Sequence, residues 1–199
     1  MQIQSAEFVT SSPDLDRCPV SELPEFAFIG RSNVGKSSLI NTLTLKKDLA
    51  QVSSTPGRTR LINFFLINRK WTLVDLPGYG YAKASGHQRK KFQDFVSDYL
   101  LNRPNLSCVF VLVDSRLTPQ KIDLEFTNWL IEHGIPLVLV FTKTDKVKAG
   151  AVQRNIGLFT DAMAEFCDGL PRTYNCSAKT SNGRKEILSF IDQAIQNSG

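Results

Sequence analysis

The stretch FAFIGRSNVGKSSLIN, Phe26 to Asn41, constrains this chain more than any other. An apolar strand-like run ends at Gly30, a polar turn follows, and a helical pattern (Leu39, Ile40, Leu43) begins just after Gly35-Lys36-Ser37. The spacing Gly-x-x-x-x-Gly-Lys-Ser between a strand and a helix is that of a phosphate-binding loop. Gly30 lets the chain leave the strand in a tight turn. Gly35 has no Cβ, so backbone N–H groups can approach phosphate oxygens. Those N–H groups and the positive end of the new helix form an anion cradle. Lys36 adds a charge near the β- and γ-phosphates, and the Ser37 hydroxyl can ligate Mg²⁺.

The rest of the chain alternates in the way that such a loop requires. Apolar runs at Phe26–Gly30, Leu61–Asn68, Trp71–Asp75, Ser107–Asp114, Pro136–Thr142 and Arg172–Ser177 read as strands. Phe92, Phe95, Val96, Tyr99 and Leu100 share one helix face, as do Ile122, Phe126, Trp129 and Leu130, and Ile187, Phe190, Ile191, Ala194 and Ile195. The runs VFVLVD and PLVLVFT are apolar throughout, as strands covered on both faces are. The expectation is an α/β fold with a mostly parallel six-stranded sheet, one antiparallel edge strand and helices on both faces. The antiparallel member follows from Arg69-Lys70, a link too short for a crossover. Residues 1–24 read as an N-terminal extension, whose patch Phe8–Thr10 offers at most a marginal strand. Residues 25–199 read as a single nucleotide-binding domain.

The base is addressed by VFTKTDK, where Thr142-Lys143-x-Asp145 stands in place of the Asn-Lys-x-Asp usual in GTPases. The two acceptor oxygens of Asp145 match the N1–H and 2-amino donors of guanine; adenine would leave the carboxylate unpaired. The Lys143 stem can lie along the base, and Cys176-Ser177-Ala178-Lys179 is similar to a backbone loop that contacts the guanine carbonyl. Asp75-x-x-Gly78 supplies a carboxylate for a Mg²⁺-bound water and an N–H for the γ-phosphate. Within SSTPGRTRLIN, Thr59 is preferred over Thr55 as the second protein ligand to Mg²⁺. Both loops would be ordered by the γ-phosphate and its metal. The full GTP-contacting set is Gly30, Arg31, Ser32, Asn33, Val34, Gly35, Lys36, Ser37 and Ser38; Gly57, Arg58, Thr59, Arg60 and Leu61; Asp75, Leu76, Pro77 and Gly78; Thr142, Lys143, Thr144 and Asp145; and Cys176, Ser177, Ala178 and Lys179.

Composition excludes several classes. No apolar run reaches the ~18 residues of a membrane span. Glu7, Asp14, Asp16 and Glu22 lie in a leader that lacks the apolar segment of a secretory signal. Cys18, Cys108, Cys167 and Cys176 have no metal-site spacing and read as reduced, core or near-core thiols of a cytoplasmic protein. The net charge of +5 permits an anionic partner but does not require one.

Taken together, GRSNVGKSSLIN, TPGRTRLINFF, DLPGYGYAK, TKTDK and SAK resemble the EngB (YihA/YsxC-type) family of bacterial GTPases, within the Era and TrmE group, over nearly the whole chain. Thr142 departs from GTPases at large but not from this family. The resemblance implies a three-layer P-loop NTPase fold of the small-GTPase kind, Mg²⁺-dependent GTP binding, a role in assembling the large (50S) ribosomal subunit, and a link to cell division and septation. The reacting groups would be Lys36, Asn33, Thr59 and Gly78. Tyr79 follows Gly78 where many GTPases place a water-orienting glutamine, so hydrolysis should be slow, near the ~10⁻⁴ s⁻¹ of an unaided small GTPase. In related GTPases an asparagine at the Asn33 position helps hold K⁺ against the phosphates, which makes K⁺ a candidate activator; the plainer alternative is that Asn33 only bonds its own loop.

Lys46-Lys47, Arg58, Arg60, Arg69-Lys70 and Arg89-Lys90-Lys91 fall near the expected switch loops and hairpin, either as solvated charges or as a surface for rRNA phosphates. The competing function is a cell-division regulator acting through a protein partner without rRNA. A metabolic phosphotransferase would leave TKTDK and SAK without a task. A monomer with no membrane or DNA partner is expected.

Overall fold

The structure, a computed structural model, describes residues 1–50, 61–79 and 86–197. Seven strands form one sheet in the order β1-β3-β4-β2-β5-β6-β7. They are β1 (Ala6–Ser12), β2 (Glu25–Gly30), β3 (Ile62–Ile67), β4 (Trp71–Asp75), β5 (Leu106–Asp114), β6 (Leu137–Thr142) and β7 (Thr173–Asn175). Helices α1 (Lys36–Thr44), α2 (Gly86–Asn102), α3 (Lys121–Glu132), α4 (Ala149–Met163) and α5 (Arg184–Asn197) cover the two faces.

The all-apolar runs are central strands, and their alternation splits the core in two. Phe26, Phe28, Phe110, Leu112, Val138 and Val140 point to the face covered by α1 and α5. Ala27, Ile29, Val109, Val111, Leu139 and Phe141 point to the face covered by α2, α3 and α4. Phe28 and Phe110 stack at 4.6 Å across the β2–β5 pair, which joins the strand carrying the phosphate loop to the middle of the sheet.

Strands β3 and β4 form the expected antiparallel hairpin. Its tight turn places Asn68 (φ 51°) and Arg69 (φ 55°) in the left-handed region, with Lys70 N–H donating to Ile67 O at 2.9 Å. This primed turn matches the twist of the strands.

The six expected strands are joined by a seventh from the leader. β1 pairs antiparallel with β3, with a bulge between Phe8 and Thr10. The antiparallel strand β3 therefore lies one place in from the margin, and β1 covers it. Asn68 fixes the approach. Its side-chain oxygen accepts from the N–H groups of Gln4 (2.7 Å) and Ser5 (3.1 Å), and its amide donates to Gln2 O (2.7 Å). At the ends of β1 only Ala6 and Ser12 are buried, so the strand carries little hydrophobic signal in sequence.

Candidate nucleotide site

The phosphate loop and the segments Asp75–Gly78, Thr142–Asp145 and Cys176–Lys179 lie at the C-terminal ends of the parallel strands β2, β4, β6 and β7, where ligands bind in open α/β sheets. A Cβ on Gly30 would lie 2.8 Å from Leu112 O and 2.9 Å from a Val34 methyl, so only glycine fits. Gly35 caps α1 with φ 103°, and Asn33 also sits in the left-handed region, which asparagine tolerates.

The base-recognition segment braces this loop. Buried Thr142 donates its hydroxyl to Val34 O at 2.6 Å, so the residue standing where asparagine is usual pins the phosphate loop. Lys143 donates to Asn33 O and to Asp114 Oδ2, the latter at 2.9 Å. Burial pushes the Asp114 carboxyl up, but hydrogen bonds from Arg116 and Lys143 outweigh it and hold it at about 2. Asp114 was not singled out in the sequence. The signal for it is a lone carboxylate ending an otherwise apolar strand on the ligand side of the sheet.

Asp145 and the Cys176–Lys179 loop meet. Ser177 donates its hydroxyl to Asp145 Oδ1 at 2.7 Å and holds that carboxyl below the usual range. An ionised, acceptor-only group is what two guanine donors require. Thr144 donates its N–H and hydroxyl to Cys176 O, at 3.2 and 3.1 Å. Burial pushes the Cys176 thiol up to about 12, so it is neutral packing. Ala178 O accepts from Thr42 of α1 at 3.3 Å, which links the loop to the phosphate-loop helix.

On the γ-phosphate side, Lys36 donates to the buried carboxylate of Asp75. Leu76 N–H donates to Phe28 O at 3.0 Å, and a parallel bridge joins Arg31 to Tyr79, so the strand ladder continues past β4 onto the phosphate loop. Gly78 lies flush against that loop; a Cβ there would sit 2.5 Å from Gly30 O. Tyr79 is turned onto α3. Its ring stacks on Phe126 at 4.5 Å and its hydroxyl donates to Asp123 Oδ1 at 2.9 Å.

Gly57, Arg58, Thr59 and Arg60, with the rival Thr55, lie outside the described residues; Leu61 is exposed before β3. Of the basic residues, Arg58 and Arg60 also lie outside the described residues. Arg69 and Lys70 turn at the start of β4, the sheet end opposite the phosphate loop, and Lys46 and Lys47 follow the far end of α1. Arg89, Lys90 and Lys91 lie in the early turns of α2.

A family model described as "50S ribosome-binding GTPase" matches residues 25–143. "Probable GTP-binding protein EngB" of Phocaeicola vulgatus is 52% identical over 192 residues, covering 96% of each chain. Its counterpart in Christiangramia forsetii is 52% identical over 198 residues, covering 100% of both. The chain belongs to the EngB family of P-loop GTPases. A crystal structure of an EngB protein superposes with a TM-score of 0.70 at 26% identity, over 87% of this chain and 99% of that one. The fold of Aquifex aeolicus Era bound to GDP and aluminium fluoride matches with a TM-score of 0.67 at 22% identity, over 86% of this chain and 56% of that one. Among the described residues, no helix is long and apolar enough to cross a membrane.

Proposed function

We propose that this EngB-family GTPase is a slow, nucleotide-gated switch that acts on the large (50S) ribosomal subunit during its assembly, and through that step supports cell division and septation. The ribosomal part is supported by the matched family's description over residues 25–143. The slow, gated part is carried by one observation. The residue after Gly78 is a tyrosine committed to Asp123 and Phe126, so that position offers no side chain to orient an attacking water. Hydrolysis then times release, and GTP-dependent binding is the output.

Asp145, ionised and held by Ser177, reads guanine; the phosphate loop, braced by Thr142 and Lys143, holds the phosphates. The donor set suits Mg²⁺. The Ser37 hydroxyl is a hard oxygen ligand on the phosphate loop, Thr59 is the proposed second hydroxyl, and Asp75 would hold a metal-bound water. No three His, Cys, Asp or Glu side chains converge as a metal site of their own among the described residues. The ion would therefore lean on phosphate oxygens, where it neutralises developing charge when bound. Lys36 would turn from Asp75 toward the phosphates, and Gly78 N–H would meet the γ-phosphate. Asn33, exposed on the loop, is proposed to hold K⁺ in place of an arginine finger. The working unit is residues 25–199 with the leader strand added, acting as a cytoplasmic monomer.

Co-sedimentation with 50S particles tests the reading. Retention in a non-hydrolysable GTP analogue and release in GDP are expected, with retention weakening as salt rises if rRNA phosphates are touched. Failure to sediment in either nucleotide would favour a protein partner in cell division and remove the ribosomal reading. Faster turnover in K⁺ than in Na⁺, lost in Asn33→Ala, is the expected salt result; equal rates would remove the K⁺ role.

A further inference from the structure

Asp123 is the third residue of α3, and only 1% of it is exposed. An acid in a first helical turn commonly does no more than complement the helix dipole. Such a role needs neither burial nor partners, and Asp123 has both. Arg31 Nε donates to its two carboxylate oxygens at 3.0 and 3.1 Å, and the Tyr79 hydroxyl donates to Oδ1 at 2.9 Å. One carboxylate thus holds the first side chain of the phosphate loop and the first side chain after Gly78. These two residues are also joined by the backbone bridge that ends the β2–β4 ladder. Burial and the neighbouring carboxylate keep the Tyr79 phenol protonated, so it remains a donor.

We infer that Asp123 is a positioning residue for γ-phosphate recognition: it fastens Arg31 and Tyr79 to α3 and so keeps Gly78 against the phosphate loop. The inference rests on the reading that Gly78 N–H meets the γ-phosphate. The span it controls is short. Gly78 lies between Asp75 on β4 and the fastened Tyr79, and its contact with Gly30 leaves no room for a side chain. With Tyr79 fastened, the Gly78 N–H has a fixed place before nucleotide arrives, and little ordering remains for the γ-phosphate to impose. With Tyr79 unfastened, part of the γ-phosphate's binding energy is spent on ordering this segment. GDP has no γ-phosphate and is indifferent to the change. The position at which other GTPases steer water has here become an anchor for phosphate sensing. The same contacts explain why Arg31 is not a free cation over the phosphates.

The test is the ratio of affinities for a fluorescent non-hydrolysable GTP analogue and fluorescent GDP, measured with Mg²⁺ on the full chain. Tyr79→Phe keeps the ring on Phe126 and removes the hydroxyl. Asp123→Asn keeps shape and removes charge. Each is expected to lower the GTP-over-GDP ratio 3- to 10-fold, the worth of about one hydrogen bond. The double variant should fall no further than the worse single variant, because both open the same fastening. Loss of packing alone would lower melting temperature and weaken both nucleotides together. A ratio that changes less than threefold in Tyr79→Phe overturns the inference, whatever happens to stability; if Asp123→Asn does not fold, Tyr79→Phe decides alone. A wild-type chain that binds neither nucleotide would overturn the nucleotide-site reading itself, which separates that failure from this one.

Discussion

Replacing Thr142 by valine removes one hydroxyl and almost no volume. Thr142 is 4% exposed, and its hydroxyl donates to Val34 O at 2.6 Å, with Val113 O further off at 3.3 Å. Valine fills the same space but leaves the Val34 carbonyl without that donor, inside a loop whose path must be fixed to bind phosphate. Leaving a buried acceptor unpaired costs about 1–3 kcal/mol. For a chain of this size each kcal/mol lowers the melting temperature by about 2–4 °C, so a central estimate of about 2 kcal/mol gives a fall of about 6 °C. Thermal denaturation followed by circular dichroism reads this directly. Thr142→Ser retains the donor and should keep most of the stability. Because Val34 belongs to the loop proposed to meet the phosphates common to GDP and GTP, both affinities should weaken by a similar factor, unlike the selective change expected of Tyr79→Phe. If Thr142→Val melts within 1–2 °C of the wild type, roughly the measurement error on the scale above, the hydroxyl does not hold the loop and the reasoning fails.

Other outcomes follow from the same contacts. Glu25 is fully buried and accepts from Tyr99 at 2.6 Å and from Arg103 at 2.9 and 2.6 Å; Glu25→Gln strips Arg103 of its counter-charge and should cost about 3 kcal/mol in urea denaturation. Hydrogen bonds from Arg116 and Lys143 hold the Asp114 carboxyl at about 2 in the native state, below the usual carboxylate range. The native state therefore binds fewer protons than the unfolded chain in this range, and its stabilisation is complete above pH ~4 and lost as pH falls toward ~2. Acid denaturation of Asp114→Asn should be shallower across that window than that of the wild type. Gly183 has φ 78°, and a Cβ there would collide with Asn175 O and the Cys176 sulfur. Gly183→Ala should shift the Cys176–Lys179 loop, cost about 1–3 kcal/mol, and reduce the preference for GDP over ADP in calorimetry.

Much of the fold was legible because its central strands have two buried faces, and such strands are written as unbroken apolar runs. The candidate nucleotide loops were legible for a different reason: each is a contiguous peptide whose spacing reflects its chemistry. β1 escaped because a margin strand that buries only its ends needs no hydrophobic alternation; backbone pairing and Asn68 hold it. Asp123 escaped because its partners Arg31 and Tyr79 lie 92 and 44 residues away, and only the fold brings them together. Thr142 was noticed as an unusual letter in the guanine motif, yet its hydroxyl is turned toward Val34. The positions of some basic residues were legible only in part. Arg69-Lys70 form the hairpin turn, as expected, but that turn and the end of α1 that Lys46-Lys47 follow lie at the sheet end opposite the phosphate loop.

The two borders of the sheet differ in how they could recruit another chain. On one side β1 is interrupted by its bulge; on the other, β7 has only three residues. A foreign strand laid along either border would find few consecutive backbone partners before the ladder broke. Concentrated solutions of this protein should therefore resist fibrillar, edge-to-edge growth, even though the strands between those borders are among the most aggregation-prone peptides in its sequence when taken alone.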